Sequence, residues 1–392
     1  MGASTGKPDQ RNSAQESSQT DCVFLYGNIC IDHVYDCASY PAEDSGQRAL
    51  SARKALGGNG ANSSRVLAQL RGAPGKICLM GAVPRLDEAD TAFTVAALKA
   101  AGVATEFLEE VGGDGMPTSF ALTSRQTGTR TIVSTRNAVR ELSLDHFTAV
   151  ASQVFAKKCA GGQPCWCHLE CRQPPEVMLK LVQAWQHEAQ LQGVAGSVVS
   201  FEVERPAIDP DKVLPILKLC DYVFFSQNFA EQHHDALMSS TGSTGAPSAP
   251  EVKNDADAKA KPQPPSQKQD KGEVDAKAQE DWQWHKALCF LRLLCKHTGV
   301  KKGLWTCTWG EQGAFALDTS SGKGFHEPAH LQEHVVDSVG AGDTFNAAFI
   351  HATSSGGDTQ KALHFACEVA GLKVAQVGFE GLHEKLRPGI LS

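Results

Sequence analysis

No stretch of the chain approaches the ~18 consecutive apolar residues of a transmembrane helix, so a helical span is excluded and no membrane partner is expected. The first 21 residues lack Ile, Leu, Val and aromatics, and with them the apolar core of a signal peptide. A basic excess is also missing: 37 Lys and Arg stand against 44 Asp and Glu, a net charge of −7, which argues against a dedicated nucleic-acid binder. The pattern GxxxxGK[ST] occurs nowhere, so a P-loop kinase is not expected. Thirteen cysteines are an odd number in a chain without a secretory signal, and they read as reduced thiols of a cytoplasmic protein.

What is present is an apolar fraction of 41%, enough for a sizeable core, and 36 glycines gathered in short motifs. Two stretches cannot join that core. Residues 1–21 read as a disordered tail, and residues 383–392 as a short C-terminal one. From Ser239 to Asp281 there is no aromatic, Leu, Ile or Met, and the word DAKA occurs at Asp257–Ala260 and Asp275–Ala278. A segment of that composition cannot offset its ordering entropy by burial and reads as a disordered insertion.

The remainder alternates short apolar runs with helical patterns. Val23–Gly27, Ile77–Gly81, Trp166–Leu169, Ser197–Glu202, Tyr222–Ser226 and Leu304–Cys307 read as buried strands. Asn62–Leu70, Glu88–Ala101, Pro175–Gln190, Trp282–His297, Asp343–Ala352 and Thr359–Gln376 read as helices. This alternation predicts an α/β fold with a central, mostly parallel sheet flanked by helices on both faces. Ala38–Ala52 and Thr118–Ser134 break the rhythm with polar alternation and predict antiparallel strands of a small β element, a lid drawn from about 33–52 and 115–137.

Two glycine-rich motifs carry chemistry. In Asp337-Ser-Val-Gly340-Ala341-Gly342-Asp343, small residues permit a sharp turn and Asp343 opens an apolar helix. Amides at a helix N-terminus form an anion site, and an Asp beside it can accept a proton from a hydroxyl. On the local string alone, an ordinary Asp cap reads the same way. The second motif, Gly57-Gly58-Asn59-Gly60-Ala61-Asn62, lacks the third glycine and the preceding strand of a dinucleotide fingerprint. It presents two amide side chains suited to sugar hydroxyls. Cys159, Cys165, Cys167, His168 and Cys171 have the residue types of a zinc site, but Cys165-x-Cys167-His168 lies in a strand whose residues alternate between faces, which disfavours one. His233-His234 reads as a solvated helix-end pair.

Together, GGNGANSSRVLAQL from Gly57 and DSVGAGDTFNAAF from Asp337 resemble the two signatures of the phosphofructokinase-B (ribokinase-like) sugar kinase family. Ser338 stands where the family usually has Thr. The resemblance spans 22–382 apart from the insertion. YPAEDSGQRA at Tyr40–Ala49, TGTRTIV at Thr127–Val133, WCHLECR at Trp166–Arg172 and VSFEVERP at Val199–Pro206 resemble the branch that phosphorylates the 1-hydroxyl of fructose with ATP. CTWGEQGAFAL at Cys307–Leu317 and VGFEGL at Val377–Leu382 belong with them.

The resemblance implies a ribokinase-like domain over 22–382, with Asp343 as catalytic base and Gly340, Ala341 and Gly342 as anion hole. Asp32, Gly58, Asn59 and Asn62 would bind the sugar together with Asp343. Arg130, Thr308, Trp309, Gly310 and Glu311 would bind ATP beside the glycines of the anion hole. Asn228 and Glu231, in Asn228-Phe-Ala-Glu231, would place Mg²⁺ through water. That intact NxxE pattern departs from the fructose branch and keeps ribose, adenosine or ketogluconate open as substrates. The resemblance also implies a homodimer formed through the lid and leaves room for a monovalent cation. A catalytically silent sugar-binding homologue is disfavoured, because Asp343 and both flanking glycines are present.

Overall fold

The computed structural model describes residues 22–72, 75–127, 129–159, 162–240 and 286–386. The 1–21 tail, almost all of the 239–281 insertion and the last residues of the C-terminal tail lie outside them.

Nine strands form the main sheet in the order β13-β12-β11-β10-β9-β8-β1-β4-β5. Its parallel body consists of β1 (Cys22–Tyr26), β4 (Ile77–Val83), β5 (Leu108–Glu110), β8 (Cys165–Glu170), β9 (Val198–Val203), β10 (Tyr222–Phe225) and β11 (Leu304–Thr308). β12 (Ala314–Asp318) and β13 (Gly324–Glu327) extend one edge antiparallel. The central parallel strands are mostly apolar because helices cover both faces. One face packs on α3 (Leu144–Lys157), α4 (Pro175–Leu191), α5 (Pro210–Leu217), α6 (Gln227–Ser240) and α7 (286–298) around Trp185, Phe201, Phe290 and Trp305. The other face packs on α1 (Asn59–Arg71), α2 (Ala89–Ala100), α8 (Ala341–Ser354) and α9 (Thr359–Val374) around Trp166, Phe345 and Phe349. Connections run from β1 to β4 on one side and onward to β8 on the other. The strand order therefore reverses at β1, and the crevice beyond the carboxyl ends of β1 and β8 is the expected ligand site of such a sheet.

A second sheet, β3-β2-β6-β7, stands over that crevice. It contains β2 (Cys30–Cys37), β3 (Ser51–Gly57), β6 (Thr118–Ser124) and β7 (Arg130–Thr135), with β2 and β6 parallel and the outer pairs antiparallel. This corrects the expected strand at Ala38–Ala52. Residues 38–50 are an exposed connection with Asp44 at φ 53°, and the strands lie on either side of it. Pro41 and Gly46 within that stretch suit turns, not a ladder.

Among the described residues no helix is long and apolar enough to cross a membrane. The expectation of reduced thiols throughout is corrected at one place: Cys159 and Cys165 are paired as a disulfide, with Cα atoms 6.6 Å apart. His233 and His234 lie within α6, not at a solvated end. His234 is buried, and the His233 ring bonds the Pro206 carbonyl at 2.8 Å.

Candidate active site

Close backbone approach places the first motif. Gly58 has φ 96°, and a Cβ there would lie 2.5 Å from the Asn28 carbonyl oxygen. Gly27 and Gly60 meet so tightly that a Cβ on either would come within 2.7 Å of the other's backbone. The N-terminus of α1 is thereby pressed against the end of β1, which is why this turn is written in glycine. Gly57 makes room for the Asp32 carboxylate, which accepts a hydrogen bond from Ser119 Oγ and faces the crevice.

The second motif starts α8. Gly340 is its N-cap at φ 77°, and a side chain there would overlap the Phe379 ring. The first-turn amides of a helix have no intrahelical partners, so those of Gly340-Ala341-Gly342 suit an anion, the Ala341 amide making a long 3.4 Å bond to the Ser338 carbonyl. Asp343 follows, 7% exposed. Asn62 Nδ2 donates to Asp343 Oδ2 at 2.7 Å, and Ser63 Oγ donates to the Asp343 carbonyl at 3.2 Å. Burial pushes the Asp343 carboxyl well above the ordinary range; the nearby Glu202 charge adds to the shift and the Asn62 hydrogen bond opposes it. A carboxylate with that proton affinity is suited to take a proton from a hydroxyl.

Two cavities meet at this point. One, of about 590 Å³, lies under the lid and is polar: Asn28, Asp32, Asn59, Asn62, Arg172 and Asp343 face it. The other, of about 560 Å³, is largely apolar, walled by Leu331, Val335, Phe345, Ala370 and Val374. Arg130, Thr308, Ser338, Ala341 and Gly342 line both. A polar chamber with a buried carboxylate in its wall and an apolar one, joined at a helix N-terminus, can hold two substrates and pass a charged group between them.

The structure brings Asp32, Gly58, Asn59, Asn62, Arg130, Thr308, Gly340, Ala341, Gly342 and Asp343 to the first cavity, and Gly310 and Glu311 to the second. Trp309 has its side chain packed in the core and lines neither cavity. Asn228 and Glu231 are exposed on the first turn of α6 and also line neither, with Glu231 Oε1 accepting from Gln227 Nε2 at 3.0 Å. The Arg130 guanidinium donates to Ser338 Oγ.

Sequence reasoning missed the carboxylates beneath the site. Glu170 accepts from the Asn28 amide at 2.7 Å, Glu202 from Asn346 Nδ2 at 2.9 Å, and Glu204 from Asn59 Nδ2 at 2.7 Å. Burial raises the pKa values of Glu170 and Glu202, and the Arg172 guanidinium opposes the shift at Glu170. The signal available was an acid at the carboxyl end of a buried strand, in Leu169-Glu170 and in Phe201-Glu202. Also missed was Lys373, fully buried on α9. Its ammonium bonds the Asp337 carbonyl at 2.8 Å and lies 3.2 Å from the Asp337 carboxylate, tying down the loop that leads to Gly340.

Comparison with known proteins finds a family and several neighbours in fold. A family model described as pfkB family carbohydrate kinase matches residues 22–232 and 296–384, passing over the span that contains the insertion. Ketohexokinase of Mus musculus is 29% identical over 368 residues, covering 94% of this chain and 99% of that protein. Among solved structures, the ribokinase of Cryptococcus neoformans var. grubii serotype A in complex with ADP aligns with a TM-score of 0.62 at 19% identity, over 94% of this chain and 100% of that one. The Arabidopsis thaliana ribokinase complexed with ribose and ATP aligns with a TM-score of 0.62 at 16% identity, over 92% and 94%. At these identities the structural likeness is one of fold.

Proposed function

This chain belongs to the pfkB family of carbohydrate kinases, and from that premise we propose that it transfers the terminal phosphoryl group of ATP to the 1-hydroxyl of fructose. The observation that carries the reading is the buried Asp343 carboxylate in the wall of the polar cavity, next to the N-terminus of α8 where that cavity meets the apolar one. The choice of a ketohexose is supported by the similarity to mouse ketohexokinase along nearly the whole chain.

In this reading the sugar occupies the polar chamber. Asp32 and Asn59 take its hydroxyls, and the acceptor hydroxyl lies against Asp343, which removes its proton as the bond to phosphorus forms. The amides of Gly340, Ala341 and Gly342 bond the oxygens of the transferring group, where charge accumulates. Arg130, exposed on β7 between the chambers, meets the phosphates with its guanidinium fork. The adenine lies in the apolar chamber. Asn228 and Glu231, exposed on α6, would hold a Mg²⁺ ion through its retained waters, and such an ion would supply screening of phosphate charge. Phe120 and Val133, opposite each other on β6 and β7, are exposed apolar residues of the lid, which supports pairing of two copies through this sheet.

The test is ATP consumption by the purified chain with fructose, tagatose, ribose, adenosine and ketogluconate offered in parallel. Fructose is expected to give the highest kcat/KM, with a product phosphorylated at carbon 1. A preference for ribose or adenosine would replace the assigned sugar, and no turnover with any acceptor would overturn the kinase reading.

A further inference from the structure

Asn62 stands between two groups of opposite demand. Its Nδ2 donates to Asp343 Oδ2 at 2.7 Å, and its Oδ1 accepts from an Arg65 guanidinium nitrogen at 2.7 Å. Residues 62 and 65 are one helical turn apart on α1 and so share a face. Arg65 is 8% exposed and lines neither cavity, so it is not a substrate contact. It is held from three sides: the same nitrogen donates to the Leu56 carbonyl at 2.9 Å, Glu380 lies 3.9 Å away, and the Phe379 ring lies 4.7 Å beneath the guanidinium.

An Asn amide is nearly symmetric in shape, and its orientation is decided by its partners. Arg is a donor only and an ionised carboxylate an acceptor only. A flipped Asn62 would set oxygen against carboxylate and nitrogen against guanidinium, losing both bonds. We propose that Arg65 is a positioning residue for phosphoryl transfer: by fixing the Asn62 amide it holds the Asp343 carboxylate in one rotamer toward the acceptor hydroxyl. The inference rests on the reading of Asp343 as proton acceptor. Arg65 also places a positive charge near a carboxylate otherwise faced by Glu202 from β9, Glu204 just beyond it and Glu170 from β8. On its own side Arg65 faces Asp32 from β2 and Glu380 from the C-terminal segment.

The experiment compares Arg65→Met, Arg65→Lys, Asn62→Ala, the double variant Arg65→Met with Asn62→Ala, and Asp343→Asn, each checked for native melting. Arg65→Met is expected to lower kcat by about 10- to 100-fold, the effect of a misplaced reacting group, with both KM values little changed. The acid limb of its kcat–pH profile should move up by about one unit as a nearby cation is lost. Arg65→Lys should keep the limb in place while kcat stays low, because an ammonium lacks the fork; it also serves as the milder variant if Arg65→Met does not fold. In the double variant the Arg65 change should add almost nothing to the loss from Asn62→Ala. Additive losses, or an unchanged kcat and pH limb in folded Arg65→Met, would overturn the inference while Asp343→Asn remained inactive. Full turnover by Asp343→Asn would instead overturn the assignment of the proton acceptor, and this inference with it.

Discussion

A methyl group on Gly57 would overlap the Asp32 carboxylate, so the absent side chain of one residue sets the direction of the other. Gly57 closes β3 and Asp32 lies on the neighbouring strand β2, whose inner face lines the polar cavity. Gly57→Ala is therefore expected to swing Asp32 away and to act on the sugar alone. A lost hydrogen bond to a charged group costs about 1.5–3 kcal/mol, which corresponds to roughly a 10- to 150-fold rise in the KM for sugar. Steady-state kinetics with each substrate varied in turn would show it. An equal rise for ATP would mean that the lid, not the Asp32 rotamer, had been disturbed.

Asp343→Asn keeps the volume and the Asn62 contact but removes the proton acceptor. Turnover should fall by about 10²–10⁴, the usual contribution of a positioned base. Sugar affinity, read by calorimetry, should stay within a few-fold. Retained turnover would remove Asp343 from the assigned role.

Arg130 lies where the two cavities meet and bonds Ser338 beside the anion-hole glycines. Arg130→Ala should raise the KM for ATP more than that for sugar, since guanidinium–phosphate contacts are charge-assisted. Arg130→Lys should recover part of the loss, because the charge remains while the fork does not. The reverse bias, with sugar use harmed and ATP spared, would exchange the assignments of the two chambers.

The parallel sheet was legible because its central strands are mostly apolar: Val23–Tyr26 and Ile77–Met80 carry no charged residue and are fully buried. The two helix N-termini were legible through their glycines, which answer local backbone demands. The lid was legible only as a region. The strand at Cys30–Cys37 is half-buried against β3 and β6, and its Asp, His and Tyr residues carry no apolar period. Helix α3 was overlooked although Ser143 caps it, accepting from the His146 amide at 3.1 Å, because the preceding lid pattern drew attention from that cap. Glu202, Arg65 and Phe379 could not be read as site residues from spacing. Glu202 and Phe379 meet the site across more than a hundred positions, and Arg65 has meaning only once Asn62 is seen to face Asp343. The inward direction of Trp309 was hidden for the same reason, since a side chain within an otherwise exposed segment can point into the core.

Glu202 also sets a pH dependence of stability. Burial, with the Glu204 charge adding, raises its pKa from 4.5 to about 8. The folded protein therefore keeps a proton that the unfolded chain releases between those two values. Because the folded state binds more protons in that window, stability is present below pH 4.5 and is lost as pH rises toward 8. The 3.7 Å approach of His168 Nε2 to Glu202 Oε2 does not cancel this, since burial holds the imidazole neutral with its pKa lowered to about 4. His168 has the opposite sign: the unfolded chain takes up its proton first, so its contribution is lost as pH falls from 6.5 toward 4. Glu202→Gln removes the carboxyl and leaves a side-chain oxygen to accept from Asn346. Its melting temperature should decline less than that of wild type between pH 5.5 and 8.5, while the loss on the acid side, to which the buried His168 and His351 both contribute, stays the same in both. Superimposable melting profiles across the alkaline range would show that Glu202 is ionised in the folded protein at neutral pH.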